Sequence, residues 1–169
     1  MNSTTLFKYL NKKPLELQKL QDDTSLSKTE QAQVCTSIGY IKYFKNDMES
    51  AISYFEKAHN IYMELKDDNK IAFCLAYLAL FNYLKDKSRL IKTHTLLNDA
   101  LYSITNDDSA EANDIKATVF LCNGIVNYHE GNYSQALNYY KQAQSMTVAD
   151  SLIYARVLDN MGIFYHNTN

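Results

Sequence analysis

The chain has 169 residues, 46% of them hydrophobic and 21% charged, with a formal net charge of −2. That is the balance of a single globular domain with enough apolar material for a core. It excludes the basic footprint of a nucleic-acid binder, since the densest cationic point is the pair Lys12-Lys13 and binding to phosphate backbones needs a patch or stripe of such charges.

No uncharged apolar run approaches the roughly 18 residues that would span a membrane. Met1 to Leu10 lack the basic start, apolar run and cleavage site of a signal peptide. The expected location is the cytoplasm. One proline and four glycines are too few for the many tight turns of an all-β fold, and favour helices.

Taken in chain order, residues 1–26 read as a degenerate N-terminal helical segment. Leu6, Phe7, Tyr9 and Leu10 form its first part. Pro14 to Asp22 form a second helix, with proline in the first turn, where its missing N–H costs nothing. Ser27-Lys28-Thr29-Glu30 is a capping box that opens the next helix. From there, residues 27–169 read as one domain of helix pairs, each with a helix A and a helix B. The pairs are expected at about 30–66, 70–104 and 114–147, with half a pair at 151–167. Asp47, Asn69 and Ser88 are the expected N-caps. The Asp-Asp pairs at 22–23, 67–68 and 107–108 fall between helices. They are loop and cap residues, because no Asp-x-Asp-x-Asp-Gly run with a distal Glu makes a calcium loop.

Two of the pairs align closely. Gly39 is followed by Ala51, Phe55 and Ala58, and Gly124 by Ala136, Tyr140 and Ala143. In both, the glycine precedes the first alanine by 12 residues and the second by 19. Glycine inside a helix costs about 1 kcal/mol of propensity, so its place there implies that helix B crosses close by. The other pairs are weaker. Ala79 takes the glycine role in the second, with Thr93 and Ala100 in the alanine roles after a turn about two residues longer. Gly162 takes it in the last.

This pattern resembles the tetratricopeptide repeat. The resemblance implies an all-α, right-handed superhelix of antiparallel helix pairs, with a concave face lined by helices A and with a protein or peptide as partner. The small residues 39, 79, 124 and 162 lie 40, 45 and 38 apart, against a standard period of about 34. Longer helices B and the acidic stretch 105–113 are the expected source of the excess. This lengthened style looks like the repeats of bacterial signalling proteins and kinesin light chains. The half pair stops at Asn169, where its helix B should start, so the expectation is a chain cut from a longer protein.

By that resemblance, the groove positions include Tyr40, Phe44, Phe73, Tyr77, Leu80, Leu121, Ile125, Tyr128 and Asn160, with Arg156 also on the last helix A. Chaperone-binding relatives grip a terminal carboxylate with Lys and Asn. The matching positions here hold Thr36 and Tyr40, Ala76 and Leu80, and Leu121 and Ile125, so that clamp is absent. An apolar surface with tyrosine anchors suits an apolar peptide or an amphipathic helix. The competing reading is that Phe73 to Leu84 are simply core.

Catalysis has no visible machinery. The histidines at 59, 94, 129 and 166 are scattered, and no phosphate loop, nucleophile elbow or HExxH motif occurs. His129 and His166 occupy neighbouring groove positions but lack an evident third ligand, so no metal or other cofactor is expected. Cys35, Cys74 and Cys122 read as reduced core thiols. The expected function is a protein- or peptide-binding scaffold, the sensory or regulatory region of a bacterial signalling protein. The alternative is a self-associating structural or co-chaperone-like scaffold, for instance a homodimer, without an output domain.

Overall fold

The computed structural model describes residues 8–21, 23–105, 108–149 and 151–168. Leu6, Phe7, Asp22 and Asp107 lie outside them. The described residues form eight helices and no strand: α1 (Pro14–Gln21), α2 (Lys28–Phe44), α3 (Met48–Leu65), α4 (Asp68–Lys85), α5 (Leu90–Ser103), α6 (Ala110–His129), α7 (Tyr133–Met146) and α8 (Leu152–Thr168). Helices α2 and α3, α4 and α5, and α6 and α7 are the antiparallel pairs, and they stack into an all-α solenoid that ends on α8.

Local chemistry sets the helix starts. Ser27 closes the expected capping box, accepting from the Glu30 N–H while its own N–H donates to Glu30. Asp47 accepts from the Ser50 N–H at 3.1 Å. Two expected caps fall elsewhere. Asp67 caps α4, accepting from the Lys70 N–H, and Asn69 sits inside the helix, where its side chain accepts from the Thr105 N–H and hydroxyl. Ser88 bonds back to Asp86 instead of capping α5, whose cap position is Arg89.

The turns within the first and third pairs share one backbone device. Asn46 and Gly131 both have positive φ, 59° and 81°. Each lies seven residues after its pair's glycine. Asn and Gly are the residues that accept this left-handed conformation at low cost. The second pair turns through four residues, 86–89, where the other two use three.

Helix B is not the main source of the long period. Helix α3 has 18 residues, but α5 and α7 have 14 each, while the helices A span 17 to 20. The excess lies chiefly in helices A and in the connection from α5 to α6.

The glycines explain the pairing. A Cβ on Gly39 would lie 2.6 Å from the Phe55 ring, and one on Gly124 would lie 2.5 Å from the Tyr140 ring. Each aromatic of helix B therefore rests on its own helix A and reaches the next. Phe55 contacts Tyr77 and Phe81, at 4.9 and 5.2 Å between centroids, and Tyr140 contacts Phe164 at 6.1 Å. Ala51, Ala58, Ala79, Ala100, Ala136 and Ala143 have no exposed surface, so they let the helices approach. Gly162 differs: a Cβ there meets nothing within 4 Å.

Thr93 stands where the other pairs carry Ala51 and Ala136. It is buried, and its hydroxyl has no hydrogen-bond partner among the described residues. An orphaned buried hydroxyl costs about 1–3 kcal/mol. Thr93→Ala should therefore raise stability by about 1 kcal/mol, with the gain in helix propensity adding to it. The midpoint of urea unfolding reads the change.

At the N-terminal end, Tyr9 and Leu17 pack on Val34 and Ile38 as a separate small core. The Tyr54 hydroxyl donates to Gln21 at 2.9 Å. Helix α1 thus covers the outer face of the first pair. Two clefts of about 390 and 300 Å³ flank it. The larger is lined by Leu20, Gln31, Cys35 and Lys57, the smaller by Gln18, Ile41 and Lys45.

Candidate interaction surface

The helix A positions separate into a sealed middle and an open rim. Phe73, Tyr77, Leu80 and Leu121 are wholly buried, and Tyr40 and Ile125 nearly so. They offer no contact surface in this conformation. The reason is curvature, which brings the inner side chains of successive helices A together. Tyr40 packs edge-on against Tyr77 at 5.8 Å, and Tyr43 stacks on Phe81 at 4.9 Å.

The last helix closes this middle. The Arg156 guanidinium lies 5.2 Å from the Tyr40 ring centre and 5.4 Å from that of Tyr77. Its Nη1 donates to the Tyr77 hydroxyl. Position alone marked Arg156 as groove-facing, but only the fold brings its side chain from α8 to Tyr40 on α2. Burial opposes the charge of Arg156, and the tyrosine hydroxyls beside it favour that charge. Guanidinium stays protonated in proteins in any case. Burial likewise pushes the Tyr40, Tyr43 and Tyr77 phenols upward, with Arg156 pulling against it, so they remain neutral donors at physiological pH.

The rim consists of the C-terminal ends of the helices A. Phe44 is 69% exposed and packs edge-on against Tyr40 at 4.8 Å. With Tyr43, Asn46, Met48 and Leu84 it lines a shallow hollow of about 410 Å³. Tyr128 is half-buried and accepts a hydrogen bond from Asn167 at 2.8 Å. Asn160 is half-buried, and its amide donates to the Arg156 carbonyl. Phe44, Tyr128 and Asn160 are thus the expected groove residues that keep surface.

The histidines do not assemble. His129 packs against Tyr83 and Tyr128, and burial, then Lys87, lowers its pKa. His94 instead meets both Glu130 oxygens, at 3.0 and 3.1 Å. Among the described residues no group of three His, Cys, Asp or Glu side chains could hold a metal ion. All three cysteines are free and buried. Burial raises their thiols, that of Cys122 to about 12, so thiolate chemistry is suppressed. No helix among the described residues is long and apolar enough to cross a membrane.

The segment that carries Gly39, Ala51, Phe55 and Ala58 matches a known family model over residues 32–62. It is a tetratricopeptide repeat. Comparison with curated proteins and with solved structures gave no match. The matched repeat spans most of α2 and α3, and its small and aromatic positions recur 85 residues later in α6 and α7. There they make the same glycine-on-ring contact. Tetratricopeptide repeats mediate protein–protein contacts.

Proposed function

We propose that the chain binds a protein or peptide through the aromatic rim of its helices A, as the sensory or regulatory region of a bacterial signalling protein. The observation that carries the reading is Phe44. A phenylalanine so exposed leaves most of its surface outside the core, and it sits beside an apolar hollow at the edge of the repeat stack. Aromatic anchors next to such hollows dominate the energetics of interfaces. The long spacing between repeats supports the signalling context. The apolar character of the rim supports an apolar peptide or an amphipathic helix as occupant.

A second reading is favoured by the exposed face of α8, where Leu152, Leu158, Ile163 and Tyr165 are all open. Each repeat of a solenoid buries its face against a neighbour, and a second copy of the chain is one such neighbour.

Light scattering after size exclusion, over a wide concentration range, separates the two. The expected result is a monomer, with partner binding that Phe44→Ser weakens by more than about 1 kcal/mol. The same substitution should leave stability within about 0.5 kcal/mol, as at other exposed positions. A stable dimer that Phe44→Ser leaves intact would move the interface to α8 and favour the self-associating scaffold.

A further inference from the structure

We infer that α8 carries a second interaction surface, an open helix-pairing face that takes an amphipathic helix of a partner protein with an aromatic residue between two small ones. This face is separate from the rim at Phe44, and its use does not depend on that rim.

The helices A share a pattern around their small residues. Each carries an alanine seven residues earlier: Ala32 before Gly39, Ala72 before Ala79, Ala117 before Gly124 and Ala155 before Gly162. Residues seven apart lie two turns apart on one face of a helix. In α2, α4 and α6 both positions are buried, and each of these helices is paired with a helix B. In α8 both are exposed. So are Leu158 and Tyr165, which lie on the same face at 42% and 40% exposure. A Cβ on Gly162 meets nothing within 4 Å.

The first and third pairs show what fits such a face. Phe55 lies 16 residues after Gly39, and Tyr140 lies 16 after Gly124. The two rings rest 2.6 and 2.5 Å from where a Cβ on each glycine would stand. Each ring has an alanine four residues before it and another three residues after it. Those alanines, Ala51 and Ala58 in α3 and Ala136 and Ala143 in α7, have no exposed surface. Helix α8 therefore has the receiving half of this contact, open to solvent. Glycine inside a helix is unfavourable. Close packing of a ring offsets that cost at Gly39 and Gly124, and nothing among the described residues offsets it at Gly162.

The open face continues, in register, the interface that joins the helix pairs. Its occupant is then a helix of the same kind, with the spacing small-x3-aromatic-x2-small. Such a helix would bury Leu158 and Tyr165 and set its ring on Gly162, in the manner of an amphipathic helix laid in a groove. A second copy of the chain fits less well. Its helices B are already packed on their own helices A. Its α8 has Asp159 between Ala155 and Gly162, where the spacing needs an aromatic.

The chain's own α3 has the required spacing and serves as the probe. A labelled synthetic peptide of residues 47–66 is titrated with the full chain by fluorescence anisotropy. Glu49 and Ser53 are exposed in α3, so Ser53→Lys, closed to Glu49 as a lactam, holds the peptide helical without touching the packing face. Saturable binding with a dissociation constant below about 1 mM is the expected result. Phe55→Ala in the peptide should weaken it at least about tenfold, as for an aromatic anchor. Gly162→Leu in the chain should weaken it at least about tenfold by filling the place of the ring. The same variant should melt at or above the wild-type temperature, since leucine meets open space there and is the better helix former. A purely structural glycine would not give that pair of effects. Phe44→Ser should leave peptide binding unchanged, so this face and the rim stand or fall separately. Equal affinity for the peptides with and without Phe55, or undiminished binding to the Gly162→Leu chain, overturns the inference. So does an absence of binding up to about 1 mM peptide. A stable dimer that Gly162→Leu dissociates also overturns it, and makes a second copy the occupant.

Discussion

Gly124→Leu should destabilise the chain by about 3 kcal/mol, the upper end of what overpacking costs, whereas Gly162→Ala should stabilise it by about 1 kcal/mol. Both glycines sit at the same register of a helix A, and sequence alone treats them alike. The difference is what each faces. At Gly124 even a first side-chain carbon would stand 2.5 Å from the Tyr140 ring. That ring is 1% exposed and hemmed in by Phe164, so it cannot swing aside. At Gly162 the space is open, and alanine simply removes the penalty that glycine pays in a helix interior. For a chain of this length 1 kcal/mol corresponds to roughly 2–4 °C in melting temperature. The first variant should fall by roughly 6–12 °C and the second rise by roughly 2–4 °C. An unchanged melting temperature for Gly124→Leu would remove the basis for packing α7 across α6 at that point.

What the sequence made legible, and what it hid, follows from the range of each interaction. The 12- and 19-residue spacings from Gly39 and Gly124 were readable because the contacts lie within one helix pair. The capping box at Ser27 was readable because it closes over three residues. The start of α4 was not. Asp67, Asp68 and Asn69 are all good N-cap types, and local preference does not choose among them. The choice goes to Asp67, since Asn69 is used to tie the start of α4 to Thr105 on the far side of α5. The inner face was least legible of all. Spacing along a helix says which residues point inward. It does not say how tightly three successive pairs curl, and that curl decides that Tyr77 is sealed while Phe44 is open. Tyr40 and Arg156 are 116 residues apart, and only the sum of the small rotations between pairs brings them together.

Tyr77 is where this distinction has its largest measurable consequence. On sequence alone Tyr77→Ala is a binding mutation if Tyr77 lines the groove and a stability mutation if Phe73 to Leu84 are core. In the folded chain its ring touches Tyr40, Phe55, Phe73 and Phe81, with centroids between 4.9 and 5.8 Å, and no part of the side chain is exposed. Truncating a buried aromatic leaves a cavity that its rigid neighbours only partly fill, at about 3–5 kcal/mol. The melting temperature should drop by roughly 6–20 °C, more than for any rim substitution. Tyr77→Phe keeps the ring and removes the acceptor of the Arg156 hydrogen bond, at about 1–2 kcal/mol. The pair of variants therefore separates the packing of the ring from its hold on the arginine. Should Tyr77→Ala instead melt like the wild-type chain and lose its partner, Tyr77 would be a contact residue. The inner face would then open in solution, and the binding surface would extend from the rim at Phe44 into the middle of the solenoid.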